Sequence, residues 1–155
     1  MSGAAAFIAR ETMVSAVISG GISAAFFLGL FGLRNAVPVA GWGGYGFDFV
    51  PQSAPIALMA CLVPALLARR AVTTGRMVSL QLPGVGALFR MSLICAALSA
   101  LLGWVAATMW IGSGIAALAP TSALIIKIVY GALLGALVTR RVLQRLLRPL
   151  PPAKD

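Results

Sequence analysis

The stretch PTSALIIKIVYGALLGALVTRR, residues 120–141, decides the fold. It carries one charge, Lys127, before the pair Arg140–Arg141 closes it. A helix rises 1.5 Å per residue, so about 20 residues cross a hydrocarbon core of about 30 Å. Ala123, Lys127, Gly131 and Gly135 recur at every fourth position and share one helical face. Gly131 and Gly135 form a GxxxG pair. Lipid gives helices no hydrophobic reason to associate, so close backbone approach along small residues supplies the packing.

Three further runs of the same kind precede it, giving spans at about 13–33, 50–68, 91–111 and 122–138. Hydrophobic residues make up 61% of the chain and charged residues 10%. Soluble chains are typically about 45–50% apolar and about 25% charged. The reading is an all-α membrane protein, a single domain over residues 1–155 with four transmembrane helices. The first run is too long for the apolar part of a cleavable leader, about 7–15 residues, and is expected to stay as an anchor. Small-residue stripes recur in the other spans, with Ser15, Ser19 and Ser23 in the first and Gly103 among alanines in the third. All are read as helix-packing faces.

The charges orient the spans. Arg10 precedes the first; Arg69, Arg70, Arg76 and Arg90 flank the middle loop; Arg140, Arg141, Arg145, Arg148 and Lys154 follow the fourth. The first hairpin tip has only Arg34 and Asp48, and the second has no charge. Arginine and lysine gather on the cytoplasmic side, so both termini and the middle loop are expected there. Ten of the twelve basic residues are arginine, and with the abundant alanine and glycine this points to a bacterial inner membrane. The net charge of +9 follows from this arrangement, and nucleic acid is not an expected partner. The expected partners are the bilayer, with anionic headgroups on Arg69, Arg70, Arg140, Arg141, Arg145 and Arg148 at about 1 kcal/mol each, and a second copy or another membrane protein. Arg141, Gln144, Arg145 and Arg148 fall on one face, and Val142, Leu143, Leu146, Leu147 and Leu150 on the other. Residues 140–155 are therefore expected to form a basic amphipathic tail on the inner leaflet. Residues 77–82 alternate apolar and polar, as a surface-lying segment does.

The chain also repeats itself. Pro51-Gln52-Ser53-Ala54 and Pro120-Thr121-Ser122-Ala123 open spans two and four, and Arg69-Arg70 and Arg140-Arg141 close them. Ile22-Ser23-Ala24-Ala25 in span one matches Leu98-Ser99-Ala100-Leu101 in span three. One reading is two tandem helical hairpins in parallel repeat. The other is that Ala- and Leu-rich helices closed by arginines resemble one another.

Lys127 is the basic residue that lies within a span, where a central lysine costs about 2.5–3.5 kcal/mol on the insertion scale. An ionisable residue there marks a functional site by default, although a lysine stem can also snorkel to the headgroups. Its place on the Gly131–Gly135 face aims it at protein or a cavity. Asp48 is its natural partner, and Arg34 with Asp48 is the alternative pair. Glu11 lies one turn before Ser15 and is expected to pair locally with Arg10. The outer loop GWGGYGFDF, residues 41–49, is expected to be an aromatic anchor at the headgroups or a re-entrant lid. There is no histidine, no phosphate loop and no nucleophile elbow. Cys61 and Cys95 sit singly in different spans and are read as small hydrophobes. No enzyme activity, metal or cofactor is expected.

The run Phe47-Asp48-Phe49-Val50-Pro51, then a span with Met59, then Arg69-Arg70, resembles small four-helix bacterial inner-membrane proteins of no established function. The resemblance covers the first hairpin and implies location and fold. Two functional readings follow: a small permease-like or channel-like subunit acting as an oligomer, with Lys127 lining its outer vestibule, or a non-transporting accessory protein whose stripes bind partner helices.

Overall fold

The computed structural model describes residues 3–76 and 83–147. Four helices dominate it: α1 (Gly3–Leu30), α2 (Phe49–Thr73), α3 (Val85–Gly112) and α4 (Pro120–Leu146). All four are long and apolar enough to cross a membrane. The chain is a multi-pass helical membrane protein. Its helices overrun the apolar runs because hydropathy registers only the hydrocarbon-facing part. Thus α1 begins well before residue 13 and continues through Arg10 and Glu11. Its 28 residues reach about 42 Å, the thickness of a bilayer including its headgroups. It stops where Gly32 takes a positive φ of 65°.

The helices are not packed as four equals. α4 lies against α1 on one side and α2 on the other, and α3 packs on α2. α1 meets α2 only narrowly. The two hairpin tips are tied together by short strands, β1 (Val37–Pro38) and β2 (Ala117–Leu118), paired antiparallel with Val37 opposite Leu118. The other ends of the helices carry most of the arginines.

Small residues set the closest contacts. A Cβ on Gly131 would overlap Ser23 Oγ and approach the Ser19 carbonyl oxygen to 2.9 Å. One on Gly135 would overlap Ser19 Oγ. One on Gly103 would lie 2.5 Å from the Phe49 carbonyl oxygen. The serine stripe of α1 thus closes on the glycine stripe of α4, and Gly103 of α3 closes on the start of α2. These stripes are used within the bundle, as backbone approach in lipid requires.

Two expectations are corrected. The amphipathic extension does not lie apart on the leaflet as far as it is described. α4 continues unbroken to Leu146, and Val142 and Leu143 are buried against Ala65, Leu88 and Ala68. Its apolar face covers the bundle's own helices, leaving Arg140, Arg141 and Arg145 exposed. Arg148, the rest of the tail and residues 77–82 lie outside the described residues. The second correction concerns Glu11. It is buried beside Ser15 on the inner stripe of α1 while Arg10 is exposed, and no Arg10–Glu11 ion pair forms among the described residues. Successive residues on a helix point about 100° apart, so one can face the bundle and the next cannot.

Candidate functional site

The site lies at the hairpin end, where the loop between α1 and α2 returns into α2. Gly41 and Gly43 take φ of 95° and 79°, a region open to glycine, and turn the chain back on itself. Tyr45 N–H then donates to the Pro38 carbonyl and Gly46 N–H to that of Val39. This fold of the loop drives Tyr45 fully into the bundle. Its hydroxyl donates to the Ala123 carbonyl at 2.9 Å. Its ring meets those of Phe27, Phe49 and Trp110 edge to face, with centroids 5.3–6.4 Å apart. Burial, and then the Asp48 charge, push the Tyr45 phenol above its ordinary range, so it remains a neutral donor. Trp42 stays in the open, stacked on Phe47. The loop is therefore neither a plain anchor nor a separate lid: Trp42 has the exposure of an anchor, and Tyr45 plugs the bundle.

Beneath the plug lies the charge pair. Lys127 Nζ donates to Asp48 Oδ2 at 2.7 Å and to Gln52 Oε1 at 3.0 Å. It also sits 3.7 Å from the centroid of the Phe49 ring and 5.1 Å from that of Tyr45, whose faces attract a cation. Lys127 has no exposed surface and the Asp48 side chain only 5%. Asp48 stands at the N-cap of α2 but makes no capping bond with its side chain. The positive end of the helix dipole still favours its charge. Arg34, the alternative partner, is exposed and forms no ion pair with Asp48. Lys127 lines no open vestibule in this conformation, because the aromatic plug and Gln52 surround it.

From this pair a seam of polar groups descends between α1, α2 and α4. Gln52 Nε2 donates to Ser23 Oγ at 2.5 Å, and Ser23 Oγ to the Ser19 carbonyl at 2.9 Å. One turn further, Ser15 Oγ lies 3.2 Å from the Gly135 carbonyl and 2.7 Å from Thr139 Oγ1. Thr139 Oγ1 reaches the Ala60 carbonyl at 2.8 Å. Ser15, Ser19, Ser23, Gln52 and Thr139 are all buried.

Sequence reasoning named Lys127, Asp48 and the serines but missed Gln52, Tyr45 and Thr139. Both polar residues had a signal in the spacing, since Gln52 is four residues after Asp48 and Thr139 four after Gly135. Thr139 also answers a backbone need. Pro64 has no N–H to give the Ala60 carbonyl one turn earlier, and in lipid a freed carbonyl must find another donor. Thr139 supplies it from α4. Thr139→Val is expected to destabilise the protein by about 1–3 kcal/mol. In a Pro64→Ala background, which restores the helical N–H, the same change should cost clearly less. Denaturation of the four variants in mixed micelles measures this, and an equal cost in both backgrounds would unlink Thr139 from the proline.

The remaining assigned residues divide. Arg69, expected at the headgroups, is partly buried and donates to the Pro83 carbonyl at 2.7 Å, so it pins the middle loop. Arg70, Arg140, Arg141 and Arg145 are exposed at the arginine-rich end. Cys61 and Cys95, on different helices, belong to one apolar cluster with Ala65, Leu88 and Val142 and are both free. No group of three metal-ligating side chains occurs among the described residues. No protein-family model matches the chain, and neither does a curated protein or a solved structure.

Proposed function

We propose that the protein is a small permease-like subunit, held here in a closed conformation, whose buried polar seam relays protons across the membrane. The observation that carries this reading is the seam itself. A bundle needs only small residues and apolar packing to associate in lipid, yet this one gathers a lysine, a carboxylate, an amide and a column of hydroxyls on its axis. The groups follow at four-residue steps, about 6 Å each. The seam is too tightly packed by Gly131 and Gly135 for a larger solute; its hydrogen bonds fall into an upper set ending at Ser19 and a lower set starting at Ser15, and water in the cavity that both serines line would carry a proton between them. Lys127 and Asp48 supply titratable groups at its outer end. The arginine distribution supports both termini facing the cytoplasm of a bacterial inner membrane.

Pairing of buried positions supports a duplicated hairpin. Gln52, Ile56, Ala60, Pro64 and Ala68 form a buried stripe in α2, and Ala123, Lys127, Gly131, Gly135 and Thr139 one in α4. The two arginine pairs follow in the same register, although the Pro-x-Ser-Ala openings do not. Between the hairpins α1 packs on α4 as α3 packs on α2. On this reading the two halves diverged at Ile56 and Lys127, so the charge is an addition to an apolar scaffold.

The test is proton flux in oriented membrane vesicles carrying an entrapped pH-sensitive dye, with protease access to the tail reading orientation in the same preparation. Flux above protein-free vesicles is expected, falling at least tenfold in folded Lys127→Met. Flux indistinguishable from protein-free vesicles would defeat the proposal. It would favour the second reading, an accessory protein, which has its own support: Lys127 already has Asp48, Gln52 and the Phe49 ring around its ammonium, and α3 keeps a broad apolar face (Leu93, Ile94, Leu98, Leu101) clear of the bundle.

A further inference from the structure

The narrow contact between α1 and α2 leaves a groove whose inner wall includes Ser15 and Ser19 of the polar seam. Its apolar part, about 330 Å³, runs from Glu11 to Ile22 along α1 and from Leu67 to Ile56 along α2. The eleven helical rises from one end to the other make about 16 Å, roughly half the hydrocarbon core and so the depth of one leaflet. Its rims, among them Val14, Ile18 and Met59, are exposed. At the arginine-rich end the groove opens into a second cavity of about 470 Å³, lined by Arg10, Arg70, Arg76, Thr74 and Glu11.

Glu11 belongs to both cavities. It is 7% exposed, its carboxylate forms no ion pair among the described residues, and its oxygens are not enclosed by protein but open onto the cavity wall. A buried charge is costly unless paired. A carboxylate that opens onto a cavity beside arginines leaves a place for a cation there, and a groove of one leaflet's depth points to a lipid. The three guanidiniums suit a phosphate, and Glu11 suits a cation beside it.

We propose that this groove binds one phospholipid whose headgroup carries both a phosphate and a primary ammonium, as phosphatidylethanolamine does. The phosphate is held by Arg10, Arg70 and Arg76, and the ammonium by Glu11. One acyl chain lies between α1 and α2. The short link between phosphate and ammonium keeps the two charges in one pocket, where the arginines and Glu11 stand together. A primary ammonium can donate hydrogen bonds to Glu11, whereas a trimethylated one cannot. A purely anionic headgroup would leave Glu11 facing negative charge. The inference does not rest on proton relay.

The test uses the full chain, delipidated in detergent, with native mass spectrometry and thermal unfolding after addition of dioleoyl phosphatidylethanolamine, phosphatidylcholine or phosphatidylglycerol. The ethanolamine lipid is expected to bind one per chain, at least tenfold tighter than the other two, and to raise the unfolding midpoint. Glu11→Gln should abolish the preference over phosphatidylcholine and Glu11→Asp should keep it. Arg70→Gln should weaken the ethanolamine and glycerol lipids alike. Free phosphoethanolamine should bind far more weakly than the lipid, because the chain fills the groove. The proposal is overturned if phosphatidylglycerol binds as tightly, if Glu11→Gln retains the preference, if phosphoethanolamine matches the lipid, or if the spectra show a lipid-free dimer instead.

Discussion

Lys127→Met is expected to cost the fold about 3–5 kcal/mol, the range for breaking a buried ion pair by removing one partner. The change leaves the Asp48 carboxylate, with 5% side-chain exposure, without its cation. It also takes the donor from Gln52 Oε1. Asp48→Asn should be costly in the mirror sense, leaving an ammonium enclosed by Phe49, Tyr45 and Gln52. The double variant should cost less than the sum of the singles, with a coupling of about 0.5–3 kcal/mol. In it a methionine lies among aromatic rings, a contact thioethers favour, and no charge remains to be compensated. Denaturation in mixed micelles gives all four corners of the cycle. Strict additivity would show that the 2.7 Å contact contributes nothing, and would return Lys127 to a residue tolerated by the bundle rather than one that organises it.

The glycine positions should respond as strongly and more selectively. A Cβ at Gly131 would occupy the place of Ser23 Oγ, which accepts from Gln52 Nε2 and donates to the Ser19 carbonyl. Gly131→Ala therefore both overpacks the α1–α4 contact, at about 1–3 kcal/mol or more, and disturbs the polar groups beneath Lys127. Replacing Gly131 and Gly135 together by leucine should leave no folded bundle. Gly21, on the other side of α1, meets nothing within 4 Å, so Gly21→Ala should instead stabilise the helix by about 0.5–1 kcal/mol. Unfolding midpoints that move the same way at Gly131 and Gly21 would mean that helix propensity, not interhelical approach, governs these sites.

The sequence by itself determined the class of fold, the number of spans and the face on which Lys127 lies. Those follow from local quantities: apolar length against bilayer thickness and the 3.6-residue period. It also singled out the serine and glycine stripes, because side-chain size is a property of the residue alone. It gave Asp48 two candidate cations, Lys127 across the bundle and Arg34 in its own loop, and only the return of that loop into the bundle brings Asp48 to Lys127. Glu11 was misassigned for a related reason. A surface pair with Arg10 is the cheap local solution, and it outweighed the one contrary signal, that Glu11 continues the four-residue spacing of Ser15, Ser19 and Ser23. Tyr45 looked like a headgroup aromatic until the Gly41 and Gly43 turns were seen to carry it inward. Thr139 had only its spacing after Gly135 to mark it until the carbonyl freed by Pro64 was found opposite it. Composition and period are read along one chain, whereas partners are chosen across helices distant in sequence, and only the tertiary structure brings those together.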